Sequence, residues 1–438
     1  MPATHPPEGA RTLFEHLCAL PQERVLLQDE AGLLAAGELV ALLRARSAGE
    51  GANLPSLVTL HALAPRELIL RLAAADGRAA RILLVPAGID ADQAGRLAAA
   101  AAVLPATAGA TQWLLATSGT TGDAKLVAHT LQSLSAALRT DLASGAAYRW
   151  GLLYDPCRFA GLQVLLQALL GGSVLVCSAG EDFVARVGAF VAARVNALSA
   201  TPTLWRKLLI DGRILACPLH RITLGGEIAD QRLLDALSHA FPHAKLRHIY
   251  ASTEAGVGFS VGDGRAGFPR AYLERGVGAV RLRVDEAGHL WIRPAVAPVV
   301  TTASVDDGGY LDTQDLVRIE GERVFFLGRA GGAINVGGNK VHPETVEAVL
   351  RAFEGVTEAR VGGRQNPFTG QVVVAEVAIG GCGRKDSRED GRDDALLRAL
   401  YDHCRAHLPP WQVPARIELV AAIEPAAGGK LRRLEDRT

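Results

Sequence analysis

A dense run of hydroxyl-bearing residues and glycines has the chemistry of a phosphate-binding loop. It reads Thr117-Ser118-Gly119-Thr120-Thr121-Gly122-Asp123-Ala124-Lys125. Glycines let backbone N–H groups approach an anion closely, the hydroxyls add donors, and the lysine adds a positive charge. The run is not a GxxxxGK[ST] loop, because its glycines are three apart and no Ser or Thr follows the lysine. It predicts polyphosphate binding, and the alternative is a polar surface turn.

The residues on either side of this loop indicate the elements that position it. Residues 112–117 (QWLLAT) form a short apolar run typical of a buried strand. After the loop, leucines recur at helical spacing at positions 131, 134, 138 and 142, and Thr130 is a good N-cap residue. The pattern predicts that the loop lies between a strand and a helix.

Five further blocks follow this loop, and each combines glycines with charged or hydroxyl side chains. They are Leu224-Gly225-Gly226-Glu227; Tyr250-Ala251-Ser252-Thr253-Glu254; Gly309-Tyr310-Leu311-Asp312-Thr313-Gln314-Asp315; Gly328-Arg329 with Asn335, Gly337-Gly338, Pro343-Glu344 and Glu347; and Gly429-Lys430-Leu431-Arg432-Arg433. In order and spacing the six blocks resemble the motifs of the adenylate-forming superfamily, which includes acyl- and aryl-CoA synthetases, peptide-synthetase adenylation domains and luciferases. The resemblance spans Thr117 to the C-terminus.

The resemblance implies a two-step reaction that uses ATP, Mg²⁺ and a thiol. A carboxylate attacks the α-phosphate of ATP and releases pyrophosphate, and the acyl group then moves from AMP to coenzyme A. By motif, residues 117–122 and Lys125 would hold the outer phosphates, Thr253 the α-phosphate, and Glu254 the Mg²⁺, a hard cation suited to oxygen ligands. The remaining nucleotide contacts implied by the resemblance come from Gly226, Glu227, Tyr250 (stacked on the adenine), Ala251, Ser252, Asp315 (on the ribose hydroxyls) and Arg329.

Lys430 is the residue that the resemblance assigns to adenylation chemistry. A lysine on a flexible terminal loop can bridge the carboxylate and α-phosphate oxygens as charge shifts in the transition state. For the second step the resemblance implies rotation of the C-terminal part, with Gly337 and Gly338 presented to the thiol tunnel. Gly331 stands at the hinge position that is usually Asp or Lys.

Several positions bear on the acid substrate. The resemblance places Gly225 and Ala251 beside the acyl pocket, where Ala251 replaces a glycine. Arg158 and Phe159 occupy the position of an aromatic–histidine pair of many relatives. An arginine there either binds an anionic or hydroxylated substrate or is a rim residue paired with Asp155. A short N-terminal region before residue 117 favours a small flat acid over a long fatty chain.

The fold expected from these patterns is α/β. Apolar runs alternate with helix-period segments up to about Ala279, after which residues 279–284 and 289–293, and 316–319 and 323–327, read as antiparallel hairpins. We predict a large N-terminal body of α/β layers plus a small β-barrel-like part, the AMP-binding domain at 1–328, and a smaller mobile α+β C-terminal lobe at 329–438. The polar stretch 380–393 is predicted to be a mobile loop.

Composition excludes several classes of function. The 438-residue chain has 46 basic and 46 acidic residues, so it lacks the basic excess of a nucleic-acid binder. No segment has the ~20 apolar residues of a membrane span, and the first ten residues do not resemble a signal peptide. Six scattered cysteines without CxxC spacing argue against a zinc ribbon. We expect a cytoplasmic protein.

Other readings of the chain remain. In one alternative, the enzyme loads the acid onto the phosphopantetheine of an acyl carrier protein instead of coenzyme A. In another, the chain is a nucleotide-binding relative without catalytic activity. A metal site at His239, His243 and His248 is disfavoured because Pro242 breaks the helix between them. A nucleophilic Ser118 lacks the G-x-S-x-G elbow.

Overall fold

The structure of the protein is a computed structural model. It describes residues 11–49, 54–105, 109–117, 125–178, 182–300, 303–380, 390–426, 428–431 and 433–434. Residues 118–124 of the predicted phosphate loop, and Arg432 of the last motif block, lie outside the described residues. Within the described residues no helix combines the length and the apolar composition that a bilayer crossing requires.

The strands, in chain order, are β1 (Val25–Asp29), β2 (Gly32–Ala35), β3 (Leu57–His61), β4 (Arg81–Val85), β5 (Gln112–Thr117), β6 (Lys125–His129), β7 (Arg149–Gly151), β8 (Val174–Val176), β9 (Ala197–Ala200), β10 (Arg221–Gly225), β11 (Lys245–Ser252), β12 (Gly256–Val261), β13 (Phe268–Pro269), β14 (Arg281–Val284), β15 (His289–Arg293), β16 (Leu311–Glu320), β17 (Arg323–Arg329), β18 (Ile334–Val336), β19 (Asn339–Val341), β20 (Val356–Asn366), β21 (Gly370–Ile379) and β22 (Arg416–Val420).

The α-helices are α1 (Leu13–Cys18), α2 (Ala36–Gly49), α3 (Pro65–Ala75), α4 (Ala91–Ala102), α5 (Leu131–Ser135), α6 (Leu142–Gly145), α7 (Phe159–Gly171), α8 (Phe183–Ala192), α9 (Pro202–Asp211), α10 (Gln231–Ala240), α11 (Ala271–Arg275), α12 (Pro343–Ala352) and α13 (Asp390–His407). Short 3₁₀ turns cover Arg213–Ala216, Ala330–Gly332 and Pro410–Gln412. We call residues 11–329 the body and residues 334–434 the C-terminal lobe.

Four sheets organise these elements, and their strand patterns confirm the predicted α/β class. An eight-stranded sheet has the order β12-β11-β10-β9-β7-β8-β1-β2, parallel except at its two edges. A four-stranded sheet, β3-β4-β5-β6, lies in the N-terminal part of the body, and a five-stranded antiparallel sheet, β13-β17-β16-β15-β14, stands where the barrel-like part was predicted. The lobe has its own sheet, β19-β18-β21-β20, with β22 paired to β21.

Apolar side chains form separate cores in the body and in the lobe. The largest core packs the helices between the sheets of the body and includes the fully buried Trp113, Phe190 and Trp205. Helix α7 is apolar on nearly all sides because it lies inside this core, and it ends at Gly172 in a left-handed conformation (φ 64°). The lobe core runs from Ile334 to Ile417 and shares no buried member with those of the body.

The predicted strand–loop–helix arrangement around residues 117–125 is wrong on its C-terminal side. Strand β6 follows the loop directly and pairs antiparallel with β5, from Thr117 opposite Lys125 to Trp113 opposite His129. The helix begins only at Leu131, with Thr130 as the predicted N-cap. It ends at Ser135, and a second helix, α6, begins at Leu142, where Asp141 is the N-cap and accepts hydrogen bonds from the backbone N–H groups of residues 143 and 144.

Other element predictions have mixed outcomes. Both antiparallel hairpins are confirmed, as β14–β15 and β16–β17. Helix α10 begins directly after Asp230, which is its N-cap. The predicted loop at 380–393 is wrong for its last four residues, which form the first turn of α13. Residues 381–389 lie outside the described parts of the chain.

Candidate active site

The predicted site residues gather at one edge of the eight-stranded sheet. Strands β7, β9, β10 and β11 run parallel, so their carboxyl ends meet at that edge. The segments that follow them are residues 152–159, Thr201, Gly225 to Glu227, and Ala251 to Glu254. In sheets of this kind, ligands bind in the crevice outside the carboxyl ends of the strands.

The two ends of the predicted phosphate loop face each other across a hairpin. Thr117 closes β5 and Lys125 opens β6, and the Thr117 hydroxyl lies 3.4 Å from the Lys125 carbonyl oxygen. Lys125 is exposed. This arrangement brings both ends of the loop to the same point, although the phosphate-binding role of residues 118–122 stays a prediction.

A buried histidine that the sequence analysis missed fixes the turn carrying Thr253 and Glu254. His129 ends β6, and its Nε2 lies 2.7 Å from the Thr253 carbonyl oxygen, while Nδ1 lies 3.0 Å from the Ser133 hydroxyl. Because a carbonyl only accepts, Nε2 carries the proton. Burial lowers the pKa of His129, which keeps the ring neutral. The signal in the sequence was an isolated histidine ending a short apolar run just after the loop.

Tyr250, Asp315 and Arg329 form a connected group on the side of the five-stranded sheet. The Tyr250 hydroxyl donates to Asp315 over 2.6 Å, and Arg329 Nε lies 3.3 Å from the other carboxylate oxygen. The Tyr250 ring stacks on Phe259 and Phe326, with centroid separations of 5.2 and 5.1 Å. Burial raises the pKa of Asp315, against the opposing effects of Arg329 and Tyr250. Stacking of Tyr250 on an adenine stays a prediction.

The C-terminal loop that carries Lys430 is bound to the body by hydrogen bonds between its backbone and two body side chains, Thr201 and Glu227. In this loop Pro425 forms a β-bridge with Leu431, and the Ala426 N–H donates to the Lys430 carbonyl over 2.8 Å. The Thr201 hydroxyl donates to the Gly429 carbonyl. Gly429 has φ 75°, and a Cβ there would lie 2.4 Å from a methyl of Leu204, so only glycine fits this approach.

Lys430 reaches the same edge of the sheet as Glu254 and Asp315. Its Cε would lie 3.0 Å, and its Nζ 3.7 Å, from a Cβ placed on Gly226. The lysine is open to the cleft, yet the protein atoms crowded around its ammonium lower its pKa. Glu227, Asp315 and Glu254 oppose that shift, and Arg329 adds to it. The structure therefore brings Lys430 near Glu254, the predicted Mg²⁺ ligand, and Asp315, the predicted ribose contact.

The predicted acid-pocket residues lie beside this loop. Arg158 precedes α7, its Nε lies 3.8 Å from Asp155, and this nitrogen has no hydrogen-bond partner among the described residues. A Cβ on Gly428 would lie 3.8 Å from the same nitrogen. The Phe159 ring packs against His129 with centroids 5.9 Å apart. Of the predicted pocket residues, Arg158 therefore stands next to the Lys430 loop and Phe159 next to His129.

Two predicted pocket positions lie on the ends of strands, and three predicted hinge or tunnel positions lie away from the cleft contacts. Gly225 is the last residue of β10, and Ala251 sits in β11 opposite Val257, next to a bulge. Gly337 and Gly338, with φ 58° and 88°, form the exposed turn between β18 and β19. Gly331 lies in a 3₁₀ turn with open space around its Cα. The roles of Gly331, Gly337 and Gly338 in hinge motion and thiol transfer stay predictions.

The donor set fits a magnesium ion shared with a nucleotide. Among the described residues no group of three or more His, Cys, Asp and Glu side chains is placed to hold a metal by itself. Glu254 is half-buried at the edge where the phosphates are expected. Mg²⁺ is commonly bound by one or two carboxylates together with substrate phosphates and water. Glu254 could supply the protein carboxylate that such a site requires.

A cluster of charged side chains joins the lobe to the body. We call Arg206, Asp230, Arg351 and Glu358 the interlobe charge cluster. Arg206 of the body pairs with Asp230 and lies 3.2 Å from Glu358, while Arg351 of the lobe lies 3.1 Å from Glu358 and 3.5 Å from Asp230. Burial raises the pKa of Asp230, but the two arginines outweigh it and lower the pKa overall. Each carboxylate thus contacts arginines from both parts of the chain.

Family profiles match most of the chain. The profile described as AMP-binding enzyme matches residues 51–294, and the one described as AMP-binding enzyme C-terminal domain matches residues 345–430. A probable 2-succinylbenzoate–CoA ligase of Mycobacterium tuberculosis is 29% identical over 73% of this chain and 82% of its own length. A 2-succinylbenzoate–CoA ligase of Bacillus pumilus is 28% identical over 74% of this chain and 68% of its own length.

Solved structures share the fold at low sequence identity. The o-succinylbenzoate–CoA synthetase of Bacillus subtilis, in complex with its acyl-adenylate, superposes with a TM-score of 0.69 at 17% identity, covering 96% of both chains. An amide bond synthetase of Marinactinospora thermotolerans gives a TM-score of 0.72 at 19% identity over 96% of this chain and 97% of its own. These matches confirm the predicted fold.

Proposed function

The chain belongs to the AMP-binding enzyme family and is an AMP-forming acid–coenzyme A ligase, and on this premise we propose that its acid is a small aryl carboxylic acid. The observation that carries the adenylation chemistry is the position of Lys430, on the loop bound to Thr201 and Glu227, with Glu254 and Asp315 among its charged neighbours. The names of the curated relatives support an aryl acid with a second carboxylate.

The first step brings a carboxylate and a triphosphate together, so the site must neutralise and orient anions. Lys430 is suited to contact the acid carboxylate and the α-phosphate, and its charge stabilises the developing negative charge of the transition state. Thr253, fixed by His129, is suited to donate its hydroxyl to the α-phosphate. Glu254 would hold Mg²⁺, which supplies further neutralisation of the phosphate charge when bound.

The body side of the nucleotide site is preorganised by the Tyr250–Asp315 contact. We propose that Asp315 accepts from the ribose hydroxyls, with Arg329 beside it, and that Tyr250 orients this carboxylate as well as contacting the adenine. The residues of 117–125 would hold the outer phosphates. Preorganised groups lower the reorganisation required when the transition state forms.

Arg158 is our candidate for selecting the acid. Its Nε is within 3.8 Å of Asp155, too far for a hydrogen bond, so part of the guanidinium is available for a second anionic or hydroxylated group of the substrate. Phe159 and Ala251 would line the flat ring. We expect the enzyme to work in the cytoplasm with coenzyme A as acceptor, and a carrier-protein phosphopantetheine is the alternative acceptor.

Acid-dependent ATP–pyrophosphate exchange tests this proposal. Purified protein with Mg²⁺ is assayed against o-succinylbenzoate, benzoates, cinnamates, fatty acids and amino acids, and coenzyme A or a carrier protein is then added. We expect exchange with an aryl acid, its loss in Lys430→Ala, and its retention in Lys245→Ala, an exposed lysine at the opposite end of β11. In Arg158→Ala we expect exchange activity with dicarboxylic acids to fall more than exchange activity with monocarboxylic acids. ATP binding without exchange across the panel would instead indicate a non-catalytic relative.

A further inference from the structure

We propose that Glu227 is the positioning residue of Lys430: its carboxylate ties the Lys430 loop of the lobe to the start of helix α9 in the body. The inference rests on the proposed adenylation function and goes beyond it, because it assigns Glu227 to the lysine loop instead of to the nucleotide.

Both carboxylate oxygens of Glu227 accept hydrogen bonds from backbone N–H groups. Oε2 accepts from Thr203 over 3.0 Å, and Oε1 accepts from Leu431, the residue after Lys430, over 2.5 Å. The second bond joins residues 204 positions apart in the chain. Each oxygen of this carboxylate therefore has one of its acceptor sites occupied by the protein backbone.

Helix α9 provides a fixed point for this bridge. Thr201 is its N-cap, Pro202 occupies the first turn, and the Thr201 hydroxyl oxygen accepts from the Leu204 N–H over 3.1 Å. The Thr203 N–H would otherwise be an unsatisfied donor of the first turn, and a negative charge is favoured at that end of a helix. Thr201 also donates to the Gly429 carbonyl, so two adjacent groups of the body bind the loop on either side of Lys430.

The neighbouring glycine makes the approach possible. Gly226 has φ 81°, and a Cβ there would lie 3.0 Å from Lys430 Cε, so any larger residue would displace the lysine chain. Gly226 gives Lys430 a path across the end of β10, and Glu227 holds the backbone that follows it. Glu227 is also the charged neighbour that most favours the protonated lysine.

The kinetic test separates positioning from nucleotide binding. In Glu227→Gln the amide retains one acceptor oxygen, so the bridge loses one of its two bonds. We expect kcat of ATP–pyrophosphate exchange to fall roughly 10- to 100-fold, the factor that a charge-assisted hydrogen bond provides, with KM for ATP unchanged. A rise in KM for ATP with kcat unchanged would overturn the proposal in favour of nucleotide binding.

A second measurement needs no catalysis. Endoproteinase Lys-C cleaves after lysine, and cutting at Lys430 releases the terminal octapeptide, which mass spectrometry quantifies. We expect Glu227→Gln to be cut at Lys430 about fivefold or more faster than wild type, with cutting at the exposed Lys340 unchanged as an internal control. If Glu227→Gln is cut at Lys430 at the same rate as wild type, the proposal is overturned.

Two further variants complete the design. Glu424→Gln is the matched control, since Glu424 also reaches from the lobe to the body, to Lys207, but its side chain is 69% exposed; we expect wild-type values in both assays. Glu227→Asp covers the case in which Glu227→Gln does not fold. It keeps the negative charge but shortens the side chain by one methylene, and we expect its exchange kcat and its rate of cutting at Lys430 to lie between those of wild type and Glu227→Gln. Absence of exchange in wild type would count against the proposed function alone, while the proteolysis result would still decide the role of Glu227.

Discussion

Different kinds of contact hold the two sides of the site. One side is the wall that the body provides, and the other is the loop that the lobe brings to it. The body side rests on a continuous apolar core and on the aromatic stack around Tyr250. The lobe side meets it through hydrogen bonds and the interlobe charge cluster, and its apolar core stays separate. Apolar burial favours one permanent arrangement, whereas polar groups can exchange protein partners for water. This difference suits an enzyme whose body stays fixed while its lobe undocks between two reaction steps.

The largest effect is expected from breaking the body core. Trp205→Ala removes a fully buried indole whose N–H donates to the Thr223 carbonyl over 2.9 Å, on the helix that binds the Lys430 loop. We expect a loss of about 3–5 kcal/mol in the free energy of unfolding, measured by urea denaturation. Trp411→Ala, which removes a 44% exposed side chain of the lobe, is the control and should change stability by less than about 0.5 kcal/mol. Equal losses would contradict the comparison.

A smaller and more selective effect is expected at the interlobe charge cluster. Arg206→Ala leaves Asp230 and Glu358 with one arginine, Arg351, in place of two, and should weaken docking of the lobe by about 1–3 kcal/mol. We expect the exchange reaction to fall several-fold while transfer of a preformed acyl-adenylate to coenzyme A changes less. Arg213→Ala, which removes an arginine paired with Asp211 within the body, is the control. Equal decline of both half-reactions would indicate general damage to the fold.

The pH dependence of adenylation reports on the charge of Lys430. Crowding of the lysine lowers its pKa, and the protonated form is the one that stabilises the phosphate charge. The exchange rate should therefore be maximal at pH values below that lowered pKa and should fall as the pH rises through it. This fall should occur at a lower pH than the titration of an exposed lysine. The measurement is the exchange rate between neutral and alkaline pH. A plateau extending to the range of ordinary lysines would contradict this assignment.

The smallest effect is expected from the exposed contact between Lys207 and Glu424. Their charged atoms lie 2.6 Å apart, but both side chains are well exposed, at 35% and 69%. Exposed ion pairs contribute little and are screened by salt. Lys207→Ala should alter the exchange rate less than about twofold, with any difference from wild type disappearing in high salt. A loss of exchange rate as large as that of Arg206→Ala would show that burial does not determine how much each of the two contacts contributes.

Local pattern was sufficient for the two hairpins and for the N-cap at Thr130. It was insufficient where a contact joins distant parts of the chain. His129 meets Thr253 across 124 positions, and no property of either segment alone indicates this. Strand β6 was missed because its residues pair with β5 through the sheet, whereas the predicted helix rested on leucine spacing that an N-cap at Asp141 interrupts.

The most direct test of the account compares the two half-reactions in Lys430→Ala. One assay measures acid-dependent ATP–pyrophosphate exchange, and the other measures thioester formation from a synthetic acyl-adenylate and coenzyme A. The account predicts a loss of about 10²–10³-fold in exchange, as for removal of one group that stabilises transition-state charge, with thioester formation within about threefold of wild type. Exchange at the wild-type rate, or equal loss in both assays, would contradict the claim that this loop is docked for adenylation.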